Sequence, residues 1–365
     1  MSRLSRLQAA MTAAGIDVTV LVPGTNLRYL SGIGFSTKLR LTCMLIPQQG
    51  QAQMVLPTME APRAQSAAEF PLAIHAWDDG DGPAAAVSAA FAALGTSPQT
   101  IAVEHTTMRV FELRAVEAAV PRATIQNADP MIAGLRMQKA PDEQAAMRRA
   151  IDVAESTLAA TIAAIRIGMT ELEVAADWER RIRAAGSVPS FDIAVGSGPN
   201  GASPHHTNGN RTLQSGDLVV IDGGAIVDGY VSDITRTIGV GTLSERAQLV
   251  YHTVLAANEA GRLAAQQPGA TGDSVDRAAR AVIEAAGFGA FFIHRTGHGL
   301  GIDIHEPPFM VTGDTSPIQS GMTFTVEPGI YVPGEFGVRI EDMVIRTADG
   351  AQTMTSFPRA LQCIE

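Results

Sequence analysis

Cysteine is almost absent. Cys43 and Cys363 stand 320 positions apart in a chain of 365 residues, in no CxxC or metal-type spacing. That argues against a disulfide framework, implies a reduced, cytoplasmic setting, and leaves both residues as packing side chains. Basic residues are also short: 27 Lys and Arg face 37 Asp and Glu, for a net charge of −10. Nucleic acid and anionic membrane surfaces are poor partners for such a chain, because phosphate binding needs a clustered basic face. No apolar run approaches the 18 or so residues of a membrane span, and the first 22 residues intersperse Gln8 and Asp17 among helically spaced Leu4, Leu7 and Met11, unlike a signal peptide. Repeats and low-complexity tracts are missing as well. What remains is an ordinary globular composition, 46 % apolar and 18 % charged, long enough for about two domains.

The two halves differ in texture. Up to about residue 128, short helical patterns (2–14, 61–69, 83–94, 107–119) alternate with apolar strands at 17–22, 41–46, 52–57, 71–76 and 100–105. An α/β domain over 1–130 is expected. Its His75 and His105 are single and read as structural. Turn signals from Asn127-Ala128-Asp129-Pro130 mark the boundary, and 131–365 forms the second domain. There a long helix opens at Pro141 and buries Met147, Ile151, Ala154, Leu158, Ile162 and Ile165. Thr170 and Glu173 form a capping box for a helix turning Leu172, Ala175 and Ile182 inward, and two more helices are expected at 244–265 and 273–286. The remainder reads as strands, so the second half is α+β, with helices against an antiparallel sheet.

Gly196-Ser197-Gly198-Pro199-Asn200-Gly201 matches GxGxxG after a strand-like FDIAV. A dinucleotide site needs a helix to open there, and Pro199, Pro204 and Gly209 prevent one. The chemistry lies elsewhere. Leu218–Ile221 is an apolar strand ending in Asp222; a hairpin turning near Asp228-Gly229 returns through Asp233, opposite or nearly opposite Asp222. Two carboxylates about 5 Å apart across a ladder repel unless a cation or proton lies between them. Three His, at 294, 298 and 305, fall within twelve residues among glycines. In 323–327, alternation sends Phe324 and Val326 to the core and Thr325 and Glu327 to the other face; in 338–344 it places Arg339 and Glu341 together. Four carboxylates with one imidazole suit a hard or borderline divalent ion, Mn²⁺ first, with Co²⁺ and Zn²⁺ as alternatives. Two such ions would balance the four negative charges, and at about 3.5–4 Å separation they activate a shared water for hydrolysis.

IDGG (221–224), DGYVSDITRT (228–237), HRTGHGLGIDIHEPP (294–308), GMTFTVEPGIY (321–331) and GVRIED (337–342), in this order, resemble the pita-bread metallopeptidases: methionine aminopeptidase, aminopeptidase P and prolidase. NLRYLSG (26–32) and LRMQKAPDE (135–143) are similar to the amino-terminal domain and linker of the Xaa-Pro peptidase and creatinase branch. The resemblance implies a pita-bread catalytic domain behind a creatinase/prolidase-type α/β domain. It implies that Asp222 chelates one metal, Asp233 and Glu341 bridge two, and His298 and Glu327 complete the second, with Glu327 also the general base. It gives His205, rather than His206, a role in binding substrate or stabilising the transition state, His305 one at the oxyanion or leaving nitrogen, and His294 a place in the substrate pocket. Arg339 and Tyr331 would support the site through polar contacts. The activity implied first is removal of an N-terminal residue preceding proline by a cytoplasmic homodimer, with a prolidase as the alternative; a creatinase-like C–N hydrolase or a lyase is more distant. The substrate would be a proline-containing peptide.

Overall fold

The computed structural model describes residues 2–36 and 39–365. Two compact units divide the chain between Arg136 and Met137. The first holds a six-stranded mixed sheet, ordered β4-β3-β2-β1-β5-β6, from β1 (Val18–Leu21), β2 (Cys43–Pro47), β3 (Ala52–Pro57), β4 (Leu72–Trp77), β5 (Thr100–Val103) and β6 (Thr124–Asn127). Its helices are α1 (Arg3–Ala14), α2 (Thr25–Ser31), α3 (Ala61–Ala67), α4 (Ala84–Ala92), α5 (Val110–Ala119) and α6 (Asp129–Met137). Val87, Phe91 and Val116 on α4 and α5 pack against Val18, Val20, Leu45 and Ile101 of the sheet. The expected 130/131 division falls inside helix α6, which begins at Asp129: Pro130 occupies its first turn, where the missing N–H costs nothing.

In the second unit two helix pairs cover the strands. Helices α7 (Pro141–Ala164) and α8 (Glu171–Ala184) cover the sheet β19-β11-β8-β7, built from β7 (Ala194–Ser197), β8 (Leu218–Gly223), β11 (Ile234–Val240) and β19 (Cys363–Ile364). Leu158, Val174 and Trp178 meet Val195, Val219, Ile221 and Ile234 there. Leu172, expected to point inward, is exposed; Ala175 and Ile182 are buried as expected, and Val174 and Trp178, in steps of four to Ile182, complete that face. Cys363 is exposed rather than packed, whereas Cys43 is buried. Between β8 and β11, the hairpin β9 (Ile226–Val227) and β10 (Tyr230–Val231) turns on Asp228 and Gly229, both with positive φ.

Helices α9 (Glu245–Gln266) and α10 (Gly272–Ala285) cover the remainder: a five-stranded sheet ordered β13-β12-β14-β17-β18, and the hairpin β15 (Gly329–Val332) with β16 (Phe336–Arg339). The five strands are β12 (Gly297–Gly299), β13 (Glu306–Met310), β14 (Thr323–Val326), β17 (Asp342–Thr347) and β18 (Gly350–Thr353). Phe324 and Val326 are fully buried against Val275 and Ala265, as alternation requires. The run 338–344 is not one strand: it leaves the hairpin after Arg339 and enters the five-stranded sheet at Asp342, with Ile340 and Glu341 between. Helices on one face of each sheet leave the opposite faces free to carry polar side chains.

Candidate active site and metal centre

A cavity of about 400 Å³ is lined by His205, Asp222, Asp233, His294, His298, His305, Glu327, Arg339 and Glu341, with Phe191, Pro204, Arg295 and Ile304. Nine of the ten expected site residues therefore line one cavity. Tyr331 joins them through its hydroxyl, 2.9 Å from both His294 Nε2 and Arg339 Nη1.

Strand register sets the acidic pair. Asp222 pairs with Thr235, not Asp233, because the turn is centred between residues 228 and 229. Asp233 lies two residues further along, on the same face. Thr235 Oγ1 lies 2.8 Å from Asp222 Oδ1 and 2.7 Å from Glu341 Oε2 while accepting from Arg339 Nε at 3.0 Å. Arg339 Nη2 donates to Asp222 Oδ2 at 2.7 Å. Thr235 went unnoticed in the sequence, although the two-residue period from Asp233 points to it.

His298 sits on β12, where Gly297 lets strands approach: a Cβ there would lie 2.0 Å from Thr325 O. With Nδ1 3.1 Å from Gly299 O, His298 turns Nε2 toward Glu327 Oε1 at 3.2 Å and Asp233 Oδ2 at 3.7 Å. Thr325 Oγ1 accepts from His298 N at 3.0 Å and donates to Glu327 Oε1 at 3.1 Å. Behind this segment, buried Asp276 on α10 accepts from Thr296 N and Oγ1.

The electrostatics are those of crowded anions. Burial, with repulsion from Asp222, holds the Asp233 carboxyl well above its ordinary value. Burial and repulsion from Asp233 do the same to Glu341. Burial also opposes ionisation of Glu327, but the hydrogen bond and charge of His298, with His294 and Arg339, outweigh it and draw Glu327 down to about 2. His294 and His305 are both lowered, chiefly by burial.

Asp233, His298 and Glu341 offer donor atoms within 4.8 Å of one another. Asp233 Oδ1 and Glu341 Oε1 are buried without a hydrogen-bond partner. A buried carboxylate oxygen left alone is costly, and a divalent cation satisfies several at once. The residues present therefore fit a metal.

The loop that carries His205 is fastened by a residue the sequence gave no reason to single out. Glu171, fully buried at the first turn of α8, accepts at Oε1 from Ser197 N, Ser197 Oγ and Asn200 Nδ2, at 2.8, 2.6 and 3.0 Å. At Oε2 it meets His206 Nε2 at 2.8 Å and Gly209 N at 3.1 Å. His206 is thus tied to Glu171 while His205 faces the cavity. Glu171→Gln would turn an amide N–H₂ toward some of these donors and is expected to lower unfolding stability by about 2–3 kcal/mol, read by urea denaturation; an unchanged midpoint would contradict this fastening role.

The GxGxxG segment continues from β7 into a short 3₁₀ turn, Gly198–Ala202, and opens no α-helix. Among the described residues no helix is long and apolar enough to cross a membrane.

Comparison with known proteins agrees with this architecture. Residues 145–348 match Metallopeptidase family M24, and residues 3–138 match the Creatinase/Prolidase N-terminal domain. "Probable dipeptidase PepE" of Mycobacterium tuberculosis is 39 % identical over 362 residues, 98 % of this chain and 95 % of that protein. A crystal structure of prolidase from Thermococcus sibiricus superposes with a TM-score of 0.92 at 34 % identity, covering 99 % of this chain and 98 % of the other. An X-Pro aminopeptidase from Thermotoga maritima gives 0.85 at 30 % identity, covering 98 % and 100 %.

Proposed function

The chain belongs to metallopeptidase family M24, with a creatinase/prolidase N-terminal domain, and from that premise we propose that it is a metal-dependent Xaa-Pro dipeptidase. The observation that carries the reading is the meeting of Asp222, Asp233, His298, Glu327 and Glu341 in one cavity, with two carboxylate oxygens buried and unpartnered. Aminopeptidase P, first in the reading from sequence, becomes the second reading. Both share every ligand, and the dipeptidase and prolidase relatives are the more similar to this chain in sequence and in backbone.

These five residues would hold two divalent ions, with Mn²⁺ the first choice for oxygen-rich ligation and Co²⁺ or Zn²⁺ the alternatives. Asp222 retains lone pairs for such a role, since each of its oxygens accepts no more than one hydrogen bond. When bound, the ions supply an acidified water and polarise the scissile carbonyl. Glu327, ionised at neutral pH, takes the proton from the attacking water. His205 and His305 donate to the oxygen on which charge develops or to the leaving nitrogen. His294 lines the pocket, held by Tyr331, which Arg339 holds in turn. The bond before proline needs such a dedicated site because its nitrogen has no hydrogen and its ring blocks extended pairing.

Rates on an Xaa-Pro dipeptide and on the same unit extended by one residue, with Mn²⁺ supplied, test the reading. The dipeptide is expected to have the higher kcat/KM by about tenfold or more. Preference for the extended peptide would restore aminopeptidase P. The homodimer implied by the sequence resemblance belongs to the same proposal and is checked by sedimentation.

A further inference from the structure

Along the buried face of α9, among Val250, Val254, Ala257, Gly261 and Ala265, stands a fully buried amide, Asn258. Asparagine is a poor residue for a helix interior, and costly to bury unless its amide is bonded. Here it is bonded in a specific way. Nδ2 donates to Val326 O at 2.9 Å and to Ile340 O at 3.2 Å, which uses both of its N–H groups. Oδ1 accepts from Arg262 Nε at 2.8 Å, one turn further along the helix. That contact sets the orientation of the amide, because turning it over would place its oxygen against two carbonyls.

The two carbonyls are those that precede Glu327 and Glu341. The ladder between β14 and β17 ends at the pair Val326 and Asp342, so the next pair in register would be the two glutamates themselves. Carboxylates opposed across strands repel, and their backbones turn elsewhere. Glu327 N donates to Thr296 O at 2.7 Å, and Glu341 N to Thr235 O at 3.1 Å. Each peptide unit leading into a glutamate is thus held at both ends, by a threonine carbonyl at its N–H and by Asn258 at its oxygen. Gly261 brings the helix close enough: a Cβ there would lie 2.8 Å from Val326 Cγ1.

We propose that Asn258 is a positioning residue that fixes the spacing of Glu327 and Glu341 and so preorganises the metal centre. The inference rests on the metal-dependent reading above. One amide bonded to both backbones keeps the two carboxylates together whether or not a cation lies between them. Without it, repulsion would spread the strand ends in the metal-free protein, and each ion would have to draw them back. Groups that orient metal ligands from behind typically change metal affinity by about 10- to 100-fold when removed.

The test strips the full chain of metal and titrates it with Co²⁺, by calorimetry and by visible absorption, which follows ligand geometry. N258D keeps the outline of the side chain but cannot present two donors; N258S has a single donor on a shorter stem. V254A removes packing from the same helix face without touching these hydrogen bonds. Both Asn258 variants are expected to bind Co²⁺ about 10- to 100-fold more weakly than wild type, with an altered spectrum, while V254A binds as wild type does. Circular dichroism checks the fold, and N258S decides where N258D does not fold. Wild-type affinity and spectrum in the folded Asn258 variants overturn the proposal, as does a weakening in V254A as large as theirs. Either of those results, with tight binding by the wild type, leaves the metal reading standing; a wild type that binds no Co²⁺ removes the metal reading and this proposal together.

Discussion

Replacing Glu327 by Gln is expected to lower kcat on an Xaa-Pro dipeptide by about 10²- to 10⁴-fold, the span associated with loss of a positioned proton acceptor. The substitution keeps the shape of the side chain and its hydrogen-bonding reach toward Thr325 Oγ1, so the fold should survive. What it removes is the ionised oxygen 3.2 Å from His298 Nε2, on a carboxyl that His298, His294 and Arg339 draw down to about 2 against the opposing effect of burial. Kinetics at saturating Mn²⁺, circular dichroism and a metal count on the same sample separate the effects. Wild-type turnover would remove the base from Glu327; lost turnover with lost metal would leave it a ligand only.

Much of the fold was legible because the long elements repeat strongly enough to override local ambiguity. Helix α7 was set by Pro141 at one end and by apolar residues at steps of three and four along it. The missed pieces are short. Helix α2 has seven residues and a Gly24 N-cap with no side-chain hydrogen bond, so neither periodicity nor a capping signature marks it. At α6, Asn127-Ala128-Asp129-Pro130 carries turn residues, although the rule that places Pro141 inside a first turn applies equally to Pro130. Leu172 lies three residues before Ala175 and so fits the same face by spacing, but Val174 and Trp178, in steps of four to Ile182, take the buried positions.

At the site, the residue types carried the reading further than the geometry inferred from them. Alternation around Phe324 and Val326 put Glu327 on the polar face, where it lies. The pairing of Asp222 was displaced by two because a shift of one residue in the turn centre moves the cross-strand partner by two. The break at Ile340–Glu341 has a tertiary cause that no local pattern carries. Arg236 donates to Glu341 O and Asp342 Oδ1, and Glu341 N donates to Thr235 O at 3.1 Å. The choice between His205 and His206 likewise depends on Glu171, 35 positions before His206.

Stripping the metals should lower the melting temperature, and by more at higher pH. Ions that bind only the folded chain stabilise it by about 2.7 kcal/mol per site at a hundredfold excess over Kd. At about 2–4 °C per kcal/mol for a domain of this size, one site is worth roughly 5–10 °C. The pH trend has a definite sign. In the metal-free protein burial and repulsion from neighbouring carboxylates raise Asp233 and Glu341 above 3.8 and 4.5, so the folded state binds more protons than the unfolded one between those values and the raised ones. Stability of the metal-free form therefore declines as pH rises through that window, while the metal-loaded form, with both carboxylates neutralised, escapes the penalty. Scanning calorimetry of both forms from pH 5 to pH 8 should show the gap widening. Coincident melting curves at every pH would mean that the buried carboxylates of Asp233 and Glu341 hold no cation in the folded protein.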